Sequence, residues 1–289
     1  MSIAIDIHTH AISPDTARYP FAPLGGKQSD WSKTRPVSAE ALLEAMDTAG
    51  VAKAALVHAS TAYGHDNSYV ADCVARYPDR FAGVFSIDLL AADACEKFDR
   101  WVAAGLTGLR LFTTGSTSPG QAGWLADPRT FPVWERAQAT TMPVCVQMRP
   151  EGAADLRRLL ERFRDVPVVL DHLGRVQLDD GPPYAAAGWL FDLARYPSLF
   201  LKLTTRTIEQ AGAGASTWQD FFPRLVGAFG ADRIAWGSNF PAHAGPLSRL
   251  LLEARHALSC LSPESQVAIL SQTAQRLYPS LAASAASAA

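Results

Sequence analysis

The chain has 289 residues, a formal net charge of -2 at pH 7, and 48% hydrophobic against 19% charged residues. Such a composition suits a globular protein with a large core, and the near-neutral balance gives no reason to expect nucleic acid or an acidic membrane surface as partner. The start, MSIAIDIHTH, lacks the basic and apolar regions of a secretion signal, and no apolar run reaches the roughly 18 residues of a membrane span, so a cytoplasmic protein is expected.

Short apolar runs recur in chain order at residues 3–8, 53–59, 80–87, 106–112, 142–148, 166–172, 199–204 and 233–239. Amphipathic segments separate them. In SAEALLEAMDTAG, Ser38 reads as an N-cap and Gly50 as the stop. DLRRLLERF (155–163) sets Leu156, Leu159, Leu160 and Phe163 on one helical face. Near-continuous apolar strands alternating with helices imply a parallel sheet covered on both faces, and eight such units imply a (β/α)8 TIM barrel. No linker or composition break divides residues 1–289, which read as a single domain. An extra helix is expected near 262–276 and a frayed tail at 283–289. Cys73, Cys95, Cys145 and Cys260 are scattered without a CxxC pair and read as reduced thiols.

A barrel of this kind builds its site at the C-terminal ends of the strands. The polar residues there are His8 and His10, His58 and Ser60, Arg110, Gln147 and Arg149, His172, Thr204 and Arg206, and Asn239. His8 and His10, two apart, share one face of their strand, and His172 joins them from the sixth. A lone strand histidine is more often a core residue; three converging imidazoles point to a site. Arg110 lies inside an apolar strand, so its guanidinium needs an anion, either a substrate or a structural carboxylate. His65 and His243, on loops, are expected to face solvent, and His256 to be structural.

IDIHTH, VVLDHLG and WGSNFP resemble the motifs of the amidohydrolase superfamily, in its amidohydrolase-2 branch. YPFAP (19–23), ALVHASTAYGHDN (55–67), GLRLF (108–112), DHLGRVQLDDGP (171–182) and LKLTTR (201–206) resemble the lactonase group of that branch, which acts on 2-pyrone-4,6-dicarboxylate and sugar lactones. The resemblance implies a hydrolase for a small carboxylated lactone, with His8, His10, His172 and Asn239 at the reacting ester. It implies substrate contacts from Arg110, Arg206, Gln147, Ser60, Thr61, Arg149, His58 and Tyr19. The partner would be a small anionic lactone or hydroxy acid, with a homo-oligomer compatible with the chain. No cofactor is expected; the alternative is one divalent metal such as zinc on His8, His10 and His172.

Two departures shape that expectation. Gln147 stands where many members place a metal-binding His or Lys, and Asn239 where hydrolases of the group carry the Asp that activates water. A side-chain amide is a poor zinc ligand and does not titrate, so Asn239 orients water without deprotonating it. Three explanations follow: an engineered Asp-to-Asn variant, a histidine base, or a lactone isomerisation instead of hydrolysis. The rival readings are a zinc-dependent hydrolase or decarboxylase of the same branch, and a ligand-binding homologue that has lost its base.

Overall fold

Eight strands form where the apolar runs lie, in a computed structural model that describes residues 3–115 and 118–282. They are β1 (Ala4–Thr9), β2 (Val51–Val57), β3 (Phe81–Phe85), β4 (Gly108–Phe112), β5 (Val144–Gln147), β6 (Val168–Asp171), β7 (Leu199–Thr204) and β8 (Ile234–Gly237). Each pairs in parallel with the next, and β1 meets β8 through a parallel bridge between Thr9 and Phe240. The seam closes at the strands' C-terminal ends, where Asn239 N–H donates to His8 O at 2.9 Å and His10 N–H to Phe240 O at 2.9 Å. This is the (β/α)8 barrel expected from the sequence.

Alternation along the strands sorts the core into two layers. Leu109, Leu111, Val144, Val146, Val168, Leu170, Leu199, Leu201 and Leu203 pack outward against the helices. Helix Ala39–Ala49 is one of these, capped by Ser38 and ended by Gly50 at φ 74°. Helix Ala153–Arg162 buries Leu156, Leu159 and Leu160, as the spacing predicts. The inner layer joins Ile5, Ile7, Ala55, Val57, Ala82, Val84, Cys145, Val169 and Ala235 to Leu277, Tyr278 and Leu281 from the C-terminal region.

The expected C-terminal helix is present in three contiguous parts, α-helical Pro263–Val267 and Thr273–Leu277 flanking a π-helical Ala268–Gln272. It delivers Tyr278 into the barrel floor, where the phenol lies 3.5 Å from Cys145 Sγ. Gly108 makes room, since a Cβ there would come within 3.0 Å of the Tyr278 ring. The tail at 283–289 lies outside the described residues. The four cysteines are free thiols. Among the described residues no helix is long and apolar enough to cross a membrane.

One irregularity positions the site. Asp6 pairs with Ala54 and Thr9 with Leu56, so three steps on β1 match two on β2. This bulge lets His8 and His10 follow Ile5 and Ile7 on the inner face, a re-aiming that bulges beside active sites commonly perform. Asp6 Oδ1 accepts from the freed His8 N–H at 2.8 Å and from Ser238 N–H at 2.9 Å. Asp6 thereby ties the bulge to the turn that carries Asn239. Burial outweighs those two hydrogen bonds and pushes its carboxyl up to about 6.

Candidate active site

Beneath the site lies a buried ionic triad. Asp171, at the end of β6, stands 2.8 Å from Lys202 Nζ of β7 and accepts from Arg110 Nε of β4 at 2.7 Å. Burial alone would raise the Asp171 carboxyl, but the Lys202 and Arg110 charges win and hold it well below the usual carboxylate range. The Arg110 Nε is fixed by a structural carboxylate, one of the two partners foreseen for Arg110, and its side chain also lines the cavity above.

On this floor the imidazoles converge. The ring centroids of His8 and His10, and of His8 and His172, are each 5.0 Å apart. Burial, reinforced by the Arg110 and Lys202 charges, depresses all three, with His10 and His172 at about 3. They are neutral at physiological pH. His10 Nδ1 faces Val57 O at 2.8 Å, and since a carbonyl only accepts, that nitrogen carries the proton and Nε2 presents its lone pair. Trp31 stacks on the His10 ring at 5.4 Å. Thr204 Oγ1 holds His172 Nδ1 at 2.8 Å. His8 is fully buried behind the other two, and among the described residues neither of its ring nitrogens has a hydrogen-bond partner.

The cavity at the strand ends has a volume of about 260 Å³, below the usual range for drug-sized ligands and suited to a small metabolite. His10, His58, His172, Arg110, Arg175 and Arg206 line it together with Ser60, Thr61, Gln147, Asn239, Trp31 and Phe112. No Asp or Glu does. Asn239 sits at φ 61°, a left-handed conformation that Asn and Asp tolerate better than most side chains. His58 donates from Nε2 to Gly64 O at 2.8 Å, and burial lowers it to about 4. The Thr61 hydroxyl accepts from Ser29 N–H at 2.6 Å, pinning the 29–31 segment over the opening.

Two expected substrate contacts lie elsewhere. Tyr19 hydrogen-bonds Asp72 at 2.5 Å and packs on Tyr69, beside a separate outer groove, because Asp72 captures its hydroxyl. Arg149 is exposed outside the cavity wall, with Nε donating to Thr114 Oγ1 at 3.0 Å. Two loop histidines are less open to solvent than expected. His65 is half-buried against Ser86, and His243 lies 3.2 Å from Glu209. His256 rests edge-on against Trp218. Sequence reasoning passed over Trp31, Phe112 and Arg175 in the cavity and Asp6, Lys202 and Asp171 beneath it. Lys202 carried a readable signal, because a lone Lys in an apolar strand must find a buried carboxylate.

The donor set is poorly suited to a divalent cation. Three neutral imidazoles bring no negative charge, Gln147 and Asn239 offer amides, and Asp171 is already paired with two cations. Arg110 and Lys202 would stand beside the added charge. Among the described residues no three His, Cys, Asp or Glu side chains are grouped to hold a metal ion.

Comparison with known proteins extends this picture. The family model described as Amidohydrolase matches residues 5–280. The 4-sulfomuconolactone hydrolase of Hydrogenophaga intermedia is 26% identical over 247 residues, covering 83% of this chain and 75% of the relative. The D-galactarolactone isomerase of Agrobacterium fabrum is 26% identical over 243 residues, covering 82% and 76%. Among solved structures, a putative 2-pyrone-4,6-dicarboxylic acid hydrolase from Pseudomonas putida superposes with a TM-score of 0.77 at 19% identity, over 98% of this chain and 100% of that one. That last likeness speaks to the fold.

Proposed function

This chain belongs to the amidohydrolase family, and from that premise we propose that it opens a small carboxylated lactone by hydrolysis, without a resident metal. The observation that carries the reading is a cavity lined by three arginines and three neutral histidines, with no carboxylate among the described residues. Such a lining selects an anion, and its charges stabilise the oxyanion that ester cleavage develops. The 4-sulfomuconolactone hydrolase relative supports a lactone as the ester.

In this reading the substrate carboxylate pairs with Arg206 at the mouth, and the lactone carbonyl points down toward Arg110. Asn239 orients a water with its amide. The water oxygen attacks the carbonyl carbon, the carbonyl electrons move onto oxygen beside Arg110, and the water proton goes to His10 Nε2. Collapse of the tetrahedral adduct breaks the ring C–O bond, and the leaving alkoxide takes the proton back from His10. One water is consumed, and the product is a hydroxy acid that ionises. An imidazole at about 3 is a weak base, but part of that depression comes from the Arg110 charge. The oxyanion that develops beside Arg110 offsets that charge as the proton is transferred, so His10 becomes a better acceptor along the step. His8 serves as a positioning residue behind His10 and His172.

The missing carboxylate base favours a second reading, lactone isomerisation, which the D-galactarolactone isomerase relative also supports.

Arg206→Met tests the substrate assignment. For a carboxylated lactone, kcat/KM should fall by roughly 10- to 150-fold, the loss of one charge-assisted contact, while the methyl ester is affected far less. Equal losses on both compounds would show that Arg206 does not read the carboxylate.

A further inference from the structure

Two of the cavity's imidazoles are held by different kinds of partner. The Val57 carbonyl can only accept, which fixes the His10 proton on Nδ1 and leaves Nε2 as an acceptor. His172 Nδ1 meets a hydroxyl, Thr204 Oγ1 at 2.8 Å, and a hydroxyl can either give or take. The direction of that one hydrogen bond decides what His172 offers to the cavity it lines.

The surroundings of Thr204 point one way. The residue is fully buried at the end of β7, so its hydroxyl proton has no bulk water to turn to. Thr204 is also the N-cap of the helix Thr205–Ala211, where a threonine hydroxyl ordinarily accepts from a first-turn N–H. It makes no such bond. Among the described residues its one side-chain partner is His172 Nδ1. An imidazole that donated here would leave the Thr204 proton buried without an acceptor, which is costly. A hydroxyl that donates satisfies both atoms. The neutral ring then carries its proton on Nε2, because the hydrogen bond at one nitrogen fixes the state of the other. The backbone under the ring is fixed as well. His172, Leu173, Gly174 and Arg175 form a left-handed turn, with φ of 54°, 48°, 64° and 56°. Trp189 packs against it so closely that Gly174 has no room for a Cβ. Such strain persists only where its surroundings hold it.

We infer that Thr204 is a positioning residue: it donates to His172 Nδ1 and so makes His172 a hydrogen-bond donor, opposite in tautomer to His10. The cavity then presents an acceptor at His10 Nε2 and an N–H at His172 Nε2. No proton leaves His172; its N–H stabilises negative charge as it develops on the ester. That role rests on the lactone reading above, whereas the tautomer does not, so one arm of the test uses no substrate. It is a ¹⁵N–¹H correlation spectrum of histidine-labelled protein at neutral pH, with His172→Gln identifying the signal. The spectrum should show the His172 proton on Nε2 and a hydrogen-bonded, unprotonated Nδ1. Thr204→Val should move the Nδ1 resonance to that of an unbonded nitrogen, and Thr204→Ser should leave it in place. A proton on Nδ1 in the unsubstituted protein overturns the inference, whether or not the variants fold. An Nδ1 resonance that Thr204→Val leaves unmoved overturns it too. In the kinetic arm, Thr204→Val should lower kcat for a carboxylated lactone by roughly tenfold, the scale of one hydrogen bond, with KM changed little. Thr204→Ser should restore it, and equal losses in the two variants would show that the hydroxyl does not act through His172. The expected tautomer in a protein that opens no lactone would sink the hydrolase reading and leave this one standing.

Discussion

Asn239→Asp is expected to raise the rate of lactone hydrolysis by about 10²- to 10⁴-fold, the usual scale of a general base. The exchange is nearly isosteric. The φ of 61° at this position suits Asp as it does Asn, and the backbone hydrogen bond to His8 O is untouched by the side chain. The new carboxylate would enter a cavity bounded by Arg110, Arg175 and Arg206, whose charges keep it ionised at neutral pH. It would then accept a proton directly from the water it orients, a role that the Asn239 amide cannot fill. Steady-state kinetics on the two forms, with the metal content of each recorded, checks this. A folded variant that binds the lactone with every rate unchanged would remove residue 239 from water handling. A large gain accompanied by stoichiometric metal would mean that the added charge completes a metal site, and the gain would no longer measure a proton acceptor.

Removing Asp171 should have the largest effect on stability. Asp171→Asn leaves Lys202 and Arg110 buried without their shared carboxylate, and breaking a buried ion pair from one side costs about 3–5 kcal/mol. Lys202→Met should cost less, because Asp171 keeps Arg110 at 2.7 Å. The pH dependence has a definite sign. The folded carboxyl is held below its ordinary value, so its contribution is complete above an unfolded pKa of about 3.9 and is lost as pH falls through the folded one. Chemical denaturation at pH 7 should therefore separate wild type from Asp171→Asn widely, and denaturation below about pH 4 progressively less. Equal stability at pH 7 would mean that the triad is not an ionic unit.

The barrel and the convergence of His8, His10 and His172 were legible because both depend on periodicity. Apolar runs announce strands, and strand ends in a parallel barrel share one mouth. The features missed depend on departures from periodicity. Spacing alone places Asp6 on the same face as His8 and His10; the bulge between Asp6 and Thr9 separates them, and nothing in IDIHTH announces it. Arg175 was hidden for a related reason. Among HLGR only Gly174 favours a positive φ, so the left-handed turn that brings Arg175 inward is imposed by packing on Trp189 and not by local preference. Tyr19 was misplaced because its partner, Asp72, lies 53 residues away on a helix whose docking is a tertiary fact. Asp171 stood beside His172 within a recognised motif, and attention to the imidazole concealed the carboxylate that holds Arg110.

The most direct test of the account follows one carboxylated lactone in ¹⁸O-labelled water by mass spectrometry, with protein purified without added metal. The hydrolytic reading predicts a ring-opened hydroxy acid carrying one ¹⁸O in its new carboxylate, formed at a rate that Arg206→Met depresses. A rearranged lactone without the label would establish isomerisation in its place, and tight binding with no product would mark a ligand-binding protein that has lost its chemistry.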